Sequence, residues 1–280
     1  MASSCLLTKI LADFLFGFYL LTLVLKQRNE IIHNNVTSNM TKIIAENLLQ
    51  LIIVFPIILL TLKNRELETL KILIAFIVFF LINQISLVLP MVYPELRISN
   101  WNSNWNWVGK IYAIIGALVF LLVYRKFPLK DYFLTFKQEN KFLKKGIIII
   151  TSILIIKTVL LFFAPTKMLN WETLFFQFSM PGINEEIAYR GIMLGLLTKI
   201  LKSKNLILNS PVWITAILFG FAHGLSLTTE FSIVFNIQPF LLKMTYGLIW
   251  GWITIKSGSI LLALISHNLG NGTGNLIRMR

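Results

Sequence analysis

The stretch Pro181-Gly-Ile-Asn-Glu-Glu-Ile-Ala-Tyr-Arg190 lies inside an apolar run from Trp171 to about Leu201. An ionisable side chain at membrane depth costs about 2.5–3.5 kcal/mol on insertion scales, so such groups face a protein interior and carry a task. On a helix Glu186 and Arg190 are four residues apart, about 40° around the axis, and pair on one face. Glu185 points about 100° away from Glu186, with Tyr189 one turn below it. The pair accounts for Glu186 and leaves Glu185 free for something else. On this stretch alone, a structural charge cluster tying helices together explains the residues equally well.

The surrounding chain sets the fold class. Of 280 residues, 56% are hydrophobic and 14% charged, where a soluble domain carries about 25% charged; the mean hydropathy is +0.75. Apolar blocks fall at about 6–25, 47–62, 70–93, 107–124, 146–164, 171–198, 210–225, 233–255 and 257–271, close to the roughly 20 residues a membrane-spanning helix needs. The expectation is an all-α, polytopic transmembrane bundle of about eight or nine helices. The net charge of +14 does not indicate nucleic acid, because its Lys and Arg fall in loops between the blocks, as the positive-inside rule requires. Arg125 to Lys145 is one such loop and Lys199, Lys202 and Lys204 mark another, both read as cytoplasmic. Asn100 to Trp107 reads as an aromatic belt anchoring the fourth span on the opposite side. Cys5 is the only cysteine, so no intrachain disulfide and no cysteine-based metal site exists. The first block lacks a basic start and a small-residue cleavage site, and reads as a retained span. Within the first five spans Asp13 and Glu46 reach the interface and Lys157 snorkels, none with a partner the sequence names. Asn35-Val-Thr and Asn39-Met-Thr match the glycosylation pattern but carry no weight alone.

After about residue 165 the composition changes. Gly191/Gly195, Gly220/Gly224 and Gly247/Gly251 are small-x-x-x-small pairs, which permit close helix approach and predict a tightly packed C-terminal bundle. His33 falls in a polar loop, but His223 and His267 stand in apolar surroundings. Phe219 lies one turn before His223, and Asn271 one turn after His267. Chemically this set suits hydrolysis. A carboxylate and an imidazole hold and deprotonate a water; a second imidazole and an amide donate to the oxyanion formed when that water attacks a carbonyl. Two histidines and a glutamate, His223, His267 and Glu185, also make a catalytic zinc set, although no His-Glu-x-x-His is present. No Gly-x-Ser-x-Gly elbow and no C-terminal cysteine supports a protein nucleophile.

Glu185-Glu186-x-x-x-Arg190, Phe219-x-x-x-His223 and His267-x-x-x-Asn271, in this order on consecutive apolar segments, resemble the CAAX protease and bacteriocin-processing family of intramembrane endopeptidases, also called Abi or CPBP. The resemblance covers roughly Trp171 to Asn271. It implies that Glu185 and His223 activate the water, that His267 and Asn271 form the oxyanion site, and that Glu186 and Arg190 support them. It places the catalytic core in the last four helices, at 166–280, with 1–165 as membrane helices of no assigned role. It leaves open whether zinc is bound; the metal-free reading is preferred because Asn271 makes better sense as an oxyanion donor. The implied substrate is a membrane-embedded or lipid-anchored peptide or protein in the bilayer. An Ile-, Lys-, Asn- and Phe-rich chain of this size suits a multi-pass protein of a bacterial cytoplasmic membrane. Two other classes remain: a scaffold or immunity protein that binds a sensor kinase or bacteriocin without chemistry, and a small transporter. The transporter is disfavoured by the lack of an inverted repeat.

Overall fold

The computed structural model describes residues 35–97, 103–203 and 209–279, with side chains from Met40 onward. The apolar block at 6–25, with Cys5, Asp13, His33, Trp101 and Lys204, lies outside the described residues. The helices are α1 (Asn35–Thr61), α2 (Leu67–Val92), α3 (Trp107–Val123), α4 (Asn140–Phe162), α5 (Trp171–Glu185), α6 (Leu194–Ile200), α7 (Ser210–Gly224), α8 (Ile237–Ser257) and α9 (Leu261–Arg278). A π-helical segment, Glu186–Met193, joins α5 to α6. Among the described residues three helices are long and apolar enough to cross a membrane, at Met40–Thr61, Leu67–Val92 and Asn140–Phe162; α3 and α7 are shorter and apolar.

The helix starts follow from local chemistry. Orphan N–H groups at a helix N-terminus need acceptors. Asn106, Asn170 and Asn209 accept from Gly109, Thr173 and Val212, opening α3, α5 and α7. Gly258, at φ 75°, closes α8 in the left-handed conformation that glycine adopts without strain.

Successive helices run between two ends of the bundle. At one end Lys63 and Lys202 donate backbone bonds to Ile200 and Thr61, and Glu139 and Ile260 donate to Ser257 and Phe133. Lys199 pairs with Asp131 at 2.7 Å, and Lys126 pairs with Glu68. At the other end Lys167 donates to the Arg278 carbonyl and Trp105 Nε1 to Thr173 at 2.9 Å. One hydrophobic core joins the two halves of the chain. It runs from Phe76, Phe79 and Phe80 on α2 through Ile192 and Leu196 to Leu218 and Phe219 on α7.

The structure adds detail to four expectations. Among the described residues the helices are joined by one pair of three-residue strands, β1 (Leu225–Leu227) and β2 (Ile233–Phe235), paired antiparallel between α7 and α8; residues 233–236 therefore precede the helix instead of starting it. Trp105 and Trp107 do more than mark the interface. Trp105 stacks on Phe176 at 4.9 Å and Trp107 Nε1 donates to Glu172, so they clasp α3 to α5. Of the three glycine pairs, two lie on the α7–α8 seam: Gly220/Gly224 receive Phe240, and Gly247/Gly251 receive Ala216 and Val212, where a Cβ on Gly247 would stand 2.8 Å from the Ala216 Cα. Gly191/Gly195 instead receives the Asp131–Tyr132 turn. Lys157 and Glu46 both have protein partners: Asn271 for one, the Leu227 N–H for the other.

Candidate active site

The charged motif occupies the π segment. A π turn puts an extra residue into the helix and is found mostly at functional sites. Here α-helical geometry ends at Glu185, and Glu186 through Met193 follow the wider winding. Glu186 is fully buried, with Arg190 Nε 3.3 Å from its Oε2 and His267 Nδ1 2.7 Å from its Oε1. The pairing expected from spacing alone is therefore present, and it extends to α9. Arg190 is boxed by aromatic faces, its guanidinium carbon 4.2 Å from the Phe219 ring centre and 5.3 Å from Trp250. Cation–π contact of this kind offsets part of the desolvation of a buried cation.

Glu185 turns the other way. Its Oε1 accepts from Lys110 Nζ at 2.6 Å, and Lys110 also donates to Asn184 Oδ1 at 3.2 Å. Its Oε2 is 3.8 Å from His267 Nε2. His267 thus bridges the two glutamates, one through each ring nitrogen. A carboxylate only accepts, so Nδ1 carries its proton toward Glu186, and Nε2 faces Glu185. Trp250 stacks on the His267 ring at 4.2 Å and fixes its plane.

His223 is set by its own helix. Its Nδ1 is 2.9 Å from the Phe219 carbonyl. A carbonyl cannot donate, so Nδ1 holds the hydrogen and Nε2 keeps the lone pair in the neutral ring. The phenylalanine of Phe219-x-x-x-His223 is the hub of the site. Its ring meets Tyr189 at 5.1 Å, His223 at 4.8 Å and His267 at 6.3 Å.

Glu185 and His223 line a cavity of about 300 Å³, together with Lys110 from α3, Glu46 and Gln50 from α1 and Gln84 from α2. Asn271 stands apart from these groups. It is one turn beyond His267, and its Oδ1 accepts from Lys157 Nζ at 3.2 Å. An ammonium only donates, so Lys157 fixes which way the amide is flipped and leaves the NH2 as its donor side. Asn268 fills a place nearer the motif: its Oδ1 accepts from the Gly182 N–H at 2.8 Å. A Cβ on Gly182 would occupy the Asn268 amide, which is why glycine follows Pro181.

Residues 167–273 match the family model "Type II CAAX prenyl endopeptidase Rce1-like". The match bears out the resemblance carried by the three motifs, all of which fall inside it. No curated protein and no solved structure matches the chain.

The Rce1-like region supplies both glutamates, Arg190, both histidines and Asn271, but the wall of the cavity is not confined to it. Lys110, Glu46, Gln50 and Gln84 come from helices outside the match. Lys243, inside the match, lies over the Phe219 ring at 6.0 Å, and its charge acts on Glu185. Sequence reading singled out neither Lys110 nor Lys243. The available signal was a lysine within an apolar block, the same signal that had picked out Lys157.

Among the described residues no group of three or more His, Cys, Asp or Glu side chains is arranged to hold a metal ion. Glu185, His223 and His267 do not fit zinc as they stand. The Lys110 ammonium already holds Glu185 Oε1 at 2.6 Å.

Proposed function

We propose that this chain is an intramembrane endopeptidase that hydrolyses a peptide bond of a membrane-embedded or lipid-anchored peptide or protein. The observation that carries the reading is the shared cavity wall of Glu185 and His223, with His267 Nε2 beside the same carboxylate. A water held between Glu185 and His223 Nε2 loses a proton to this pair and adds to the substrate carbonyl. The oxyanion site is His267, which Glu186 orients through Nδ1, together with the Asn271 amide one turn further along α9. Collapse breaks the C–N bond as the proton taken from water passes to the leaving amine. Arg190 holds Glu186 in register, and Lys110 holds the Glu185 carboxylate toward the cavity.

The remaining assignments belong to the same proposal. Residues 166–280 carry the chemistry, and residues 1–165 complete a multi-pass bundle of about eight or nine membrane helices. The home is a bacterial cytoplasmic membrane. The matched family's name makes a prenylated peptide the first probe. A quenched membrane-peptide library that includes prenylated members, incubated with detergent-purified wild type, Glu185→Ala and His223→Ala, tests the reading. Cleavage that both substitutions abolish while thermal unfolding is retained supports it. Cleavage that survives in both removes it. The alternative, a scaffold or immunity protein, predicts a cellular phenotype indifferent to Glu185→Ala.

A further inference from the structure

An α-helical peptide bond is shielded by its own helix, so a membrane substrate must be drawn out before water attacks it. Drawing it out inside an apolar bundle leaves N–H and C=O groups that cost several kcal/mol each unless the protein satisfies them. The β1–β2 hairpin is the described strand pairing that borders the site. β1 starts two residues after His223.

Ladder parity tells which backbone groups are spare. Asn236 N–H donates to the Gly224 carbonyl, and Thr228 N–H to the Ser232 carbonyl. With Ser226 opposite Val234, the even-numbered residues of β1 therefore face β2. Leu225 and Leu227 turn their backbone groups to the outer edge. The Leu225 N–H still serves the helix, donating to Phe221. The Leu227 N–H leaves the sheet altogether and donates to Glu46 Oε2 at 3.1 Å. Glu46 comes from α1 and lines the same cavity as Glu185 and His223. A side-chain carboxylate thus sits where the carbonyl of a third strand would accept. The opposite edge, at Ile233 and Phe235, is exposed but borders no residue of the site.

We propose that the outer edge of β1, at Leu225 and Leu227, docks the extended backbone of the substrate as an added strand, displacing Glu46 and the part of α1 packed on that edge and feeding the chain past His223. This rests on the endopeptidase reading for the identity of the occupant. Main-chain pairing supplies affinity without demanding a sequence.

The test uses full-length protein carrying Glu185→Gln in detergent, so that binding is read without cleavage. The probe is a palmitoylated, fluorescent octapeptide of alternating Val and Thr, compared by anisotropy with the same peptide N-methylated at every residue. Losing two ladder bonds should weaken binding by about tenfold. Glu46→Ala should tighten the unmodified peptide several-fold and leave the methylated one unchanged, whereas Glu46→Gln, which keeps an acceptor oxygen, should behave as the parent. A photo-crosslinker at Ser226 should capture the peptide. Equal binding of both peptides, weaker binding in Glu46→Ala, or capture only from Val234 would each overturn the assignment. Wild-type protein that cleaves no peptide counts against the hydrolase alone, since strand docking is measured in its absence.

Discussion

Glu186→Ala isolates the energetics of the motif from its chemistry. The carboxylate is fully buried and serves two partners, His267 Nδ1 at 2.7 Å and Arg190 Nε at 3.3 Å. The terminal nitrogens of Arg190 are buried with no other hydrogen-bond partner among the described residues, so removing Glu186 strands a buried cation. Breaking such a pair from one side costs about 3–5 kcal/mol. At about 2–4 °C per kcal/mol for a chain of this size, the melting temperature should fall by roughly 6–20 °C. Glu186→Gln keeps the shape and an acceptor but loses the charge, and should cost about 1.5–3 kcal/mol. Converting both partners, Glu186→Leu with Arg190→Met, removes the desolvation together with the attraction and should be less destabilising than Glu186→Ala alone. Tryptophan fluorescence during thermal unfolding in detergent reads all three. A Glu186→Ala protein melting within 2 °C of wild type would refute the pairing as the stabilising element.

Three further outcomes follow from single contacts. Gly247→Leu drives a side chain into the Ala216 backbone and should separate α7 from α8, costing about 3 kcal/mol or more and abolishing folded expression. Tyr132→Phe should leave the melting temperature unchanged or slightly higher, because the Tyr132 hydroxyl is buried with no hydrogen-bond partner among the described residues. Burial pushes that phenol up to about 12, so no titration of Tyr132 should appear below pH 10. Asn271→Ala should lower kcat about 10²–10³-fold with little change in KM if its amide holds the oxyanion; a drop in melting temperature with kcat intact would reduce Asn271 to a partner of Lys157.

The helical segments were readable because bilayer-length apolar blocks leave few alternatives. From α2 onward each block falls on an observed helix or on the α5–π–α6 run, and the Glu186–Arg190 pair followed from spacing alone. What escaped was whatever depends on a distant partner. Lys110 looks like a stray cation until α5 brings Glu185 to it, 75 positions away. Glu46 looked interfacial because the strand it serves is 181 positions on. The π winding was hidden for a different reason: its eight residues, Glu186–Met193, are too few to reveal a change of period between two α-helices. Asn271 was read by motif as part of the site, and its amide orientation became visible only when Lys157 turned inward.

The bundle's charge is gathered at one end, where Lys63, Arg65, Lys126, Lys130, Lys137, Lys199, Lys202 and Lys256 stand on or beside the turns that join there. The candidate cavity lies toward the other end, bordered by Asn106 at the start of α3 and His223 at the close of α7. In a cell whose interior is electrically negative, inverting the molecule would drag each of those cations uphill through the field at about 2.3 kcal/mol per 100 mV. The two ends of the bundle are therefore not interchangeable: a field across the apolar helices acts on the lysine- and arginine-rich end and not on the end toward which the cavity lies.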